Sequence, residues 1–106
     1  MSHRVVVLRR AEEELTAIAL WLADRSRDGA VRWLDAFERA RDSLAVDPYC
    51  GETAPESEFV EVEIRQILFK TRSGNRYRAL YTIDGNDVRV LHIRGPGQPI
   101  VPPDEF

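Results

Sequence analysis

The spacing of hydrophobic positions changes twice along this chain, and each change marks a different kind of element. Residues 4–8, RVVVL, form a β-branched run that predicts a strand, and its unbroken apolarity suits burial on both faces. From Ala11 the spacing becomes helical. Ala11, Leu15, Ile18, Ala19 and Leu22 share one face, while Glu12, Glu13 and Glu14 fill the first turn, where carboxylates favour the positive end of the helix dipole. This predicts a first helix ending near Arg27. Asp28-Gly29 supplies the break, with Asp28 as N-cap of a second amphipathic helix carrying Ala30, Trp33, Leu34, Phe37, Ala40 and Leu44. Asp47-Pro48 stops it.

Beyond a loop over residues 48–58 the period becomes two. Val60, Val62 and Ile64 alternate, predicting a strand over 59–70, and Ser73-Gly74-Asn75 turns the chain. Residues 77–83 and 88–94 flank Asp84-Gly85-Asn86-Asp87, a hairpin signal because Gly and Asn tolerate the positive φ of tight turns. The tail from Gly95, with Pro96, Pro99, Pro102 and Pro103, reads as an extended flank. The order is strand, helix, helix, then three antiparallel strands. It predicts an α+β fold in one domain over residues 1–106, with the helical hairpin on one face of the sheet and the other face free for function.

Composition removes several classes of function. No apolar run approaches the roughly 20 residues that cross a bilayer, and the apolar segment near the start is too short for a secretory signal, which points to the cytoplasm. Cys50 is the only cysteine, and only His3 and His92 add imidazole, so neither a disulfide nor a metal centre is expected. No base accompanies Cys50 in its Pro48-Tyr49-Cys50-Gly51 turn, so it reads as an ordinary loop thiol.

Charge is distributed unevenly. Residues 1–64 hold 8 basic against 14 acidic side chains, and residues 65–106 hold 7 against 4. The acidic total conceals a local positive field over 65–94, where Tyr77, Tyr81 and His92 stand among the arginines. Such a surface suits an anionic partner, although arginines on a sheet also serve as solvated edge protection.

Arg65-Gln66-Ile67-Leu68-Phe69-Lys70, Tyr77-Arg78-Ala79-Leu80-Tyr81, Ile83-Asp84-Gly85 and residues 88–94, in that order after a strand and a helical hairpin, resemble the RelE/ParE toxin superfamily of bacterial type II toxin–antitoxin modules. The resemblance implies a small cytoplasmic, plasmid-stabilisation-type toxin that needs no cofactor and is neutralised by a cognate antitoxin. It leaves the target open between DNA gyrase, bound by ParE-like members, and the ribosome, where RelE-like members promote mRNA cleavage. A member that has lost activity and only binds antitoxin is a third reading.

RelE-like cleavage needs a base, cations to stabilise phosphorane charge and a leaving-group acid. Arg78 matches the phosphate-contacting strand arginine of that branch, with Arg65, Lys70, Arg72, Arg76, Tyr81 and Arg94 as further phosphate or target contacts. His92, or Glu61 or Glu63, is the candidate base. A three-residue hairpin loop sets Arg78 opposite His92 on one face, whereas a two-residue loop sets His92 opposite Ala79 and sends Arg78 to the other face. After the last strand, Gly95-Pro96-Gly97-Gln98-Pro99 lacks the basic and aromatic or histidine residues of active nucleases. This absence and the two long helices favour a ParE-like mechanism. Trp21, off the main stripe of the first helix, is the candidate antitoxin contact.

Overall fold

A computed structural model describes residues 2–106. Two helices, α1 (Arg9–Ala23) and α2 (Arg27–Val46), pack on one face of a five-stranded sheet. Its strands are β1 (Arg4–Val7), β2 (Glu52–Thr53), β3 (Arg65–Phe69), β4 (Tyr77–Asp84) and β5 (Asp87–Arg94), in the order β1-β5-β4-β3-β2. The expected α+β layout is present, and the first strand joins the sheet parallel to β5 while the remaining pairs are antiparallel. Being an edge strand, β1 is half-buried rather than enclosed on both faces.

The helices bury a continuous core. Trp33 and Phe37 of α2 meet Phe69 and Tyr77 of the sheet, with ring centroids 5.1 to 5.6 Å apart for the Trp33–Tyr77, Phe37–Phe69 and Trp33–Phe69 pairs. Leu44, Ala79, Val88, Val90 and Ile93 close the same layer. Each large apolar side chain removed from water in this way contributes about 2 kcal/mol.

Three element boundaries differ from the sequence expectations. Helix α1 ends at Ala23, short of Arg27, and α2 begins at Arg27, capped by Ser26 and not by Asp28. Ser26 Oγ accepts the Gly29 backbone N–H at 2.9 Å, and Asp28 falls in the first turn. The strand expected over 59–70 shortens to Arg65–Phe69. Ser57 Oγ takes the Ile64 N–H at 2.9 Å, while Pro55–Phe59 forms a short 3-10 helix, so the residues before Arg65 leave the ladder.

The hairpin register matches neither expected alternative alone. The loop has two residues, since Asp84 pairs with Asp87 and Gly85 adopts φ 61°, but a bulge at Leu80/Tyr81 then shifts the pairing. Leu80 faces His92 and Arg78 faces Arg94, so Arg78 and His92 share the face away from the helices.

That face is not free. Ala54, Ile64, Leu80 and Val101 form a second buried cluster there, with Val60 and Leu91 packed against it. The proline-rich tail, expected as an extended flank, returns across the sheet and buries Val101 to 1% exposure. Ser26→Ala is expected to cost about 1 kcal/mol in urea unfolding and Asp28→Ala less than half of that; the reverse ranking would return the cap to Asp28.

Candidate target- and partner-binding surfaces

Arg78 stands on β4 with Leu68 and Arg94 as its cross-strand neighbours. Its guanidinium forks onto Glu56, Nη1 to Oε1 at 2.7 Å and Nη2 to Oε2 at 2.6 Å, and Nη1 also donates to Gln66 Oε1 at 3.1 Å. The Glu56 side chain is fully buried and that of Arg78 is 18% exposed. Glu56 Oε2 further accepts the Val101 backbone N–H at 2.9 Å. Burial alone pushes the Glu56 carboxyl up, but the bonds from Arg78 and from backbone N–H groups outweigh it and hold the group below the ordinary carboxylate range. The bidentate geometry that suits a phosphate is therefore taken by an internal carboxylate. Glu56 was missed in the sequence because it is one of five glutamates between positions 52 and 63, with nothing local to single it out.

His92 shares that face but is 2% exposed. Its Nε2 donates to the Glu105 carbonyl at 2.9 Å, and Nδ1 lies 3.2 and 3.3 Å from the Glu14 carboxylate. Phe106 meets the ring edge-on at 5.2 Å. Arg10 joins the two acids, 3.7 Å from Glu14 and 2.7 Å from Glu105. Glu14 also accepts the Ile93 N–H at 2.9 Å, where β5 runs on past the end of β1. The ring thus ties α1 and the tail to β5, with both nitrogens occupied by internal partners. Glu61 and Glu63 lie exposed in the irregular segment before β3, and Glu63 meets Arg65 at 3.4 Å.

Arg65 and Tyr81 work together on the loop after α2. Tyr81 is fully buried and its hydroxyl donates to the Pro48 carbonyl at 2.6 Å. Arg65, its side chain 13% exposed, donates to the Gly51 carbonyl at 2.7 Å. A Cβ at Gly51 would collide with the Gln66 carbonyl and the Tyr81 hydroxyl, so the loop passes this point only as glycine. Desolvation, with Asp47 nearby, pushes the Cys50 thiol up, and the residue lies exposed in its loop. Arg94 is half-buried, and its Nε lacks a hydrogen-bond partner among the described residues.

The remaining sequence candidates are accessible. Lys70, Arg72 and Arg76 lie exposed on and beside the β3–β4 turn, with no carboxylate within 4.0 Å among the described residues. Trp21 is 53% exposed, and the Arg25 guanidinium stacks 3.6 Å from its ring centroid. It borders a groove of about 710 Å³ between the helices, the β3–β4 turn and Gly95-Pro96, where Trp33 and Tyr77 also line the wall. Among the described residues no cluster of three or more His, Cys, Asp or Glu side chains is arranged to hold a metal ion, and no helix is long and apolar enough to cross a membrane.

Glu56→Gln is expected to destabilise the fold by about 3 kcal/mol, because it leaves the Arg78 cation facing a neutral amide in a dehydrated site. The carboxyl titrates below the 4.5 of an unpaired glutamate, so its stabilisation is complete above that value and is lost as pH falls through the depressed folded value. Urea unfolding over this acid range checks both statements. The Gln variant should lose that part of the pH dependence, and an unchanged profile would show that Glu56 is not its source.

A family model for the ParE toxin of type II toxin–antitoxin systems, parDE, matches residues 5–98, and a search of curated proteins finds no match. The matched span runs from β1 past the end of β5, taking in both helices and every strand of the sheet. The chain belongs to the ParE toxin family of type II toxin–antitoxin systems.

Proposed function

We propose that this protein arrests growth by binding DNA gyrase in the cytoplasm, without cutting RNA, and that a cognate antitoxin neutralises it. The observation that carries this reading is the fork of Arg78 onto buried Glu56. An in-line attack by a 2′-hydroxyl requires a cation free to meet the phosphorane and a base free to take the proton. Arg78 is bound to an internal carboxylate and His92 is enclosed by Glu14, Glu105 and Phe106. The tail lies across the same face. A toxin that acts by docking needs none of this chemistry and is served by exposed side chains, which Lys70, Arg72 and Arg76 provide.

Trp21 and its groove suit the antitoxin. An exposed indole beside an apolar groove, stacked by Arg25, is the composition of an interface anchor. Trp33, in the same wall, carries an indole Nε1 with no hydrogen-bond partner among the described residues.

Expression of the chain alone in a bacterium is expected to stop growth, and the purified protein to inhibit supercoiling by gyrase while transcripts on translating ribosomes stay intact. Cleaved transcripts with normal supercoiling would overturn the reading in favour of a ribosome-dependent nuclease. Soluble protein without arrest would favour a member retained only for antitoxin binding. Arg72→Glu should weaken gyrase inhibition by about tenfold with the fold unchanged, a loss the size of one or two interfacial charge contacts. Trp21→Ala should weaken antitoxin binding by a similar factor or more while leaving the arrest intact.

A further inference from the structure

The apolar stripe of α2 carries Trp33 into the core, where it is 2% exposed and meets the Tyr77 ring edge-on. Its indole Nε1 nevertheless has no hydrogen-bond partner among the described residues. An N–H that water does not reach and no acceptor meets costs free energy, and a buried indole ordinarily has a partner. The same side chain lines the groove of about 710 Å³ that Trp21 borders.

The walls of this groove come from α1, the start of α2, the β3–β4 turn and the segment after β5, and its volume lies in the range of small-molecule sites. Backbone groups around it are already used. The Gly74 N–H donates to the Thr71 carbonyl at 3.2 Å, the Gln98 N–H to the Gly95 carbonyl at 3.3 Å, and the Gly95 N–H to the Gln98 side chain. Tyr77 pairs with Phe69 inside the sheet. An extended peptide therefore finds no row of free donors and acceptors here. Charge narrows the occupant further. No acidic residue lines the groove, and its one cation, the exposed Arg25, has no carboxylate within 4.0 Å among the described residues. Ser26 and Gly29 set the N-terminal end of α2, the positive end of its dipole, in the same wall.

We infer that this groove binds a small planar aromatic acid with a hydrogen-bond acceptor in its ring. The ring packs against Trp33 and Tyr77, its acceptor takes the Trp33 Nε1–H, and the carboxylate meets Arg25 beside the start of α2. The unpaired indole N–H selects for the acceptor, because a ligand without one leaves that donor unsatisfied. Arg25 selects for an anion over a cation of the same shape. The antitoxin reading concerns the Trp21 indole at the rim and this one the Trp33 wall, so the inference goes beyond the proposed function and does not rest on it.

The test is a titration of the isotope-labelled full chain with quinoline-4-carboxylate. Naphthalene-1-carboxylate, which lacks the ring nitrogen, and the corresponding aminomethyl quinoline, which reverses the charge, are the comparisons. The quinoline acid is expected to bind with a Kd of about 1 mM or tighter, as a well-seated compound of about a dozen non-hydrogen atoms does. It should also move the Trp33 indole N–H signal downfield, the mark of a new acceptor. The naphthalene acid should bind about threefold or more weakly without that shift, and the amine about tenfold more weakly. Arg25→Gln, at an exposed position, should remove the preference for the acid over the amine with the remaining amide spectrum unchanged. Because the shift is read on the unaltered protein, the Trp33 contact is tested without disturbing the core. No binding of the quinoline acid at about tenfold the expected Kd would overturn the proposal. So would binding without the downfield shift, equal binding of either comparison compound, or an undiminished preference in the Arg25 variant.

Discussion

The ion pair between Glu56 and Arg78 organises the face of the sheet that the helices leave uncovered. A fully buried carboxylate is tolerable only when each oxygen is satisfied, and here the guanidinium fork and the Val101 N–H do so from two different parts of the chain. The pair joins the segment after α2, the central strand β4 and the returning tail at one point. The cluster of Ala54, Ile64, Leu80 and Val101 lies on the same face of the sheet. A hydrophobic contact could bury similar area, but it would not fix the position of the Val101 backbone.

This arrangement bears on how a toxin of this family works. The strand arginine that resembles a phosphate contact is committed internally, and the histidine across the sheet serves the tail. On one face the arginine and the histidine are held by internal partners, while cationic and apolar side chains at the β3–β4 turn and the Trp21 groove are left to solvent.

Much of the layout was legible in the sequence because it depends on local periodicity. The helical stripes, the Asp84 to Asp87 turn and the two strands around it follow from spacing and turn chemistry, and the structure has them nearly where they were expected. The misses share a physical origin in contacts between distant residues. Ser26 and Asp28 are both competent N-caps, and only the end of α1 at Ala23 decides between them. The alternation of Val60, Val62 and Ile64 is real, but Ser57 captures the Ile64 N–H. The bulge after Leu80 inverts the parity on which the placement of Arg78 relative to His92 depended. The roles of Glu14 and Glu56 are fixed by partners 78 and 22 residues away.

Arg78 is a structural cation paired with Glu56. A double-mutant cycle in unfolding free energy, combining Glu56→Gln with Arg78→Met, measures that pairing directly. A coupling of about 2 kcal/mol or more is expected, with the double variant more stable than the single changes would give by addition. Additive losses, with coupling near zero, would contradict it and return Arg78 to the solvent as a residue free to meet phosphate.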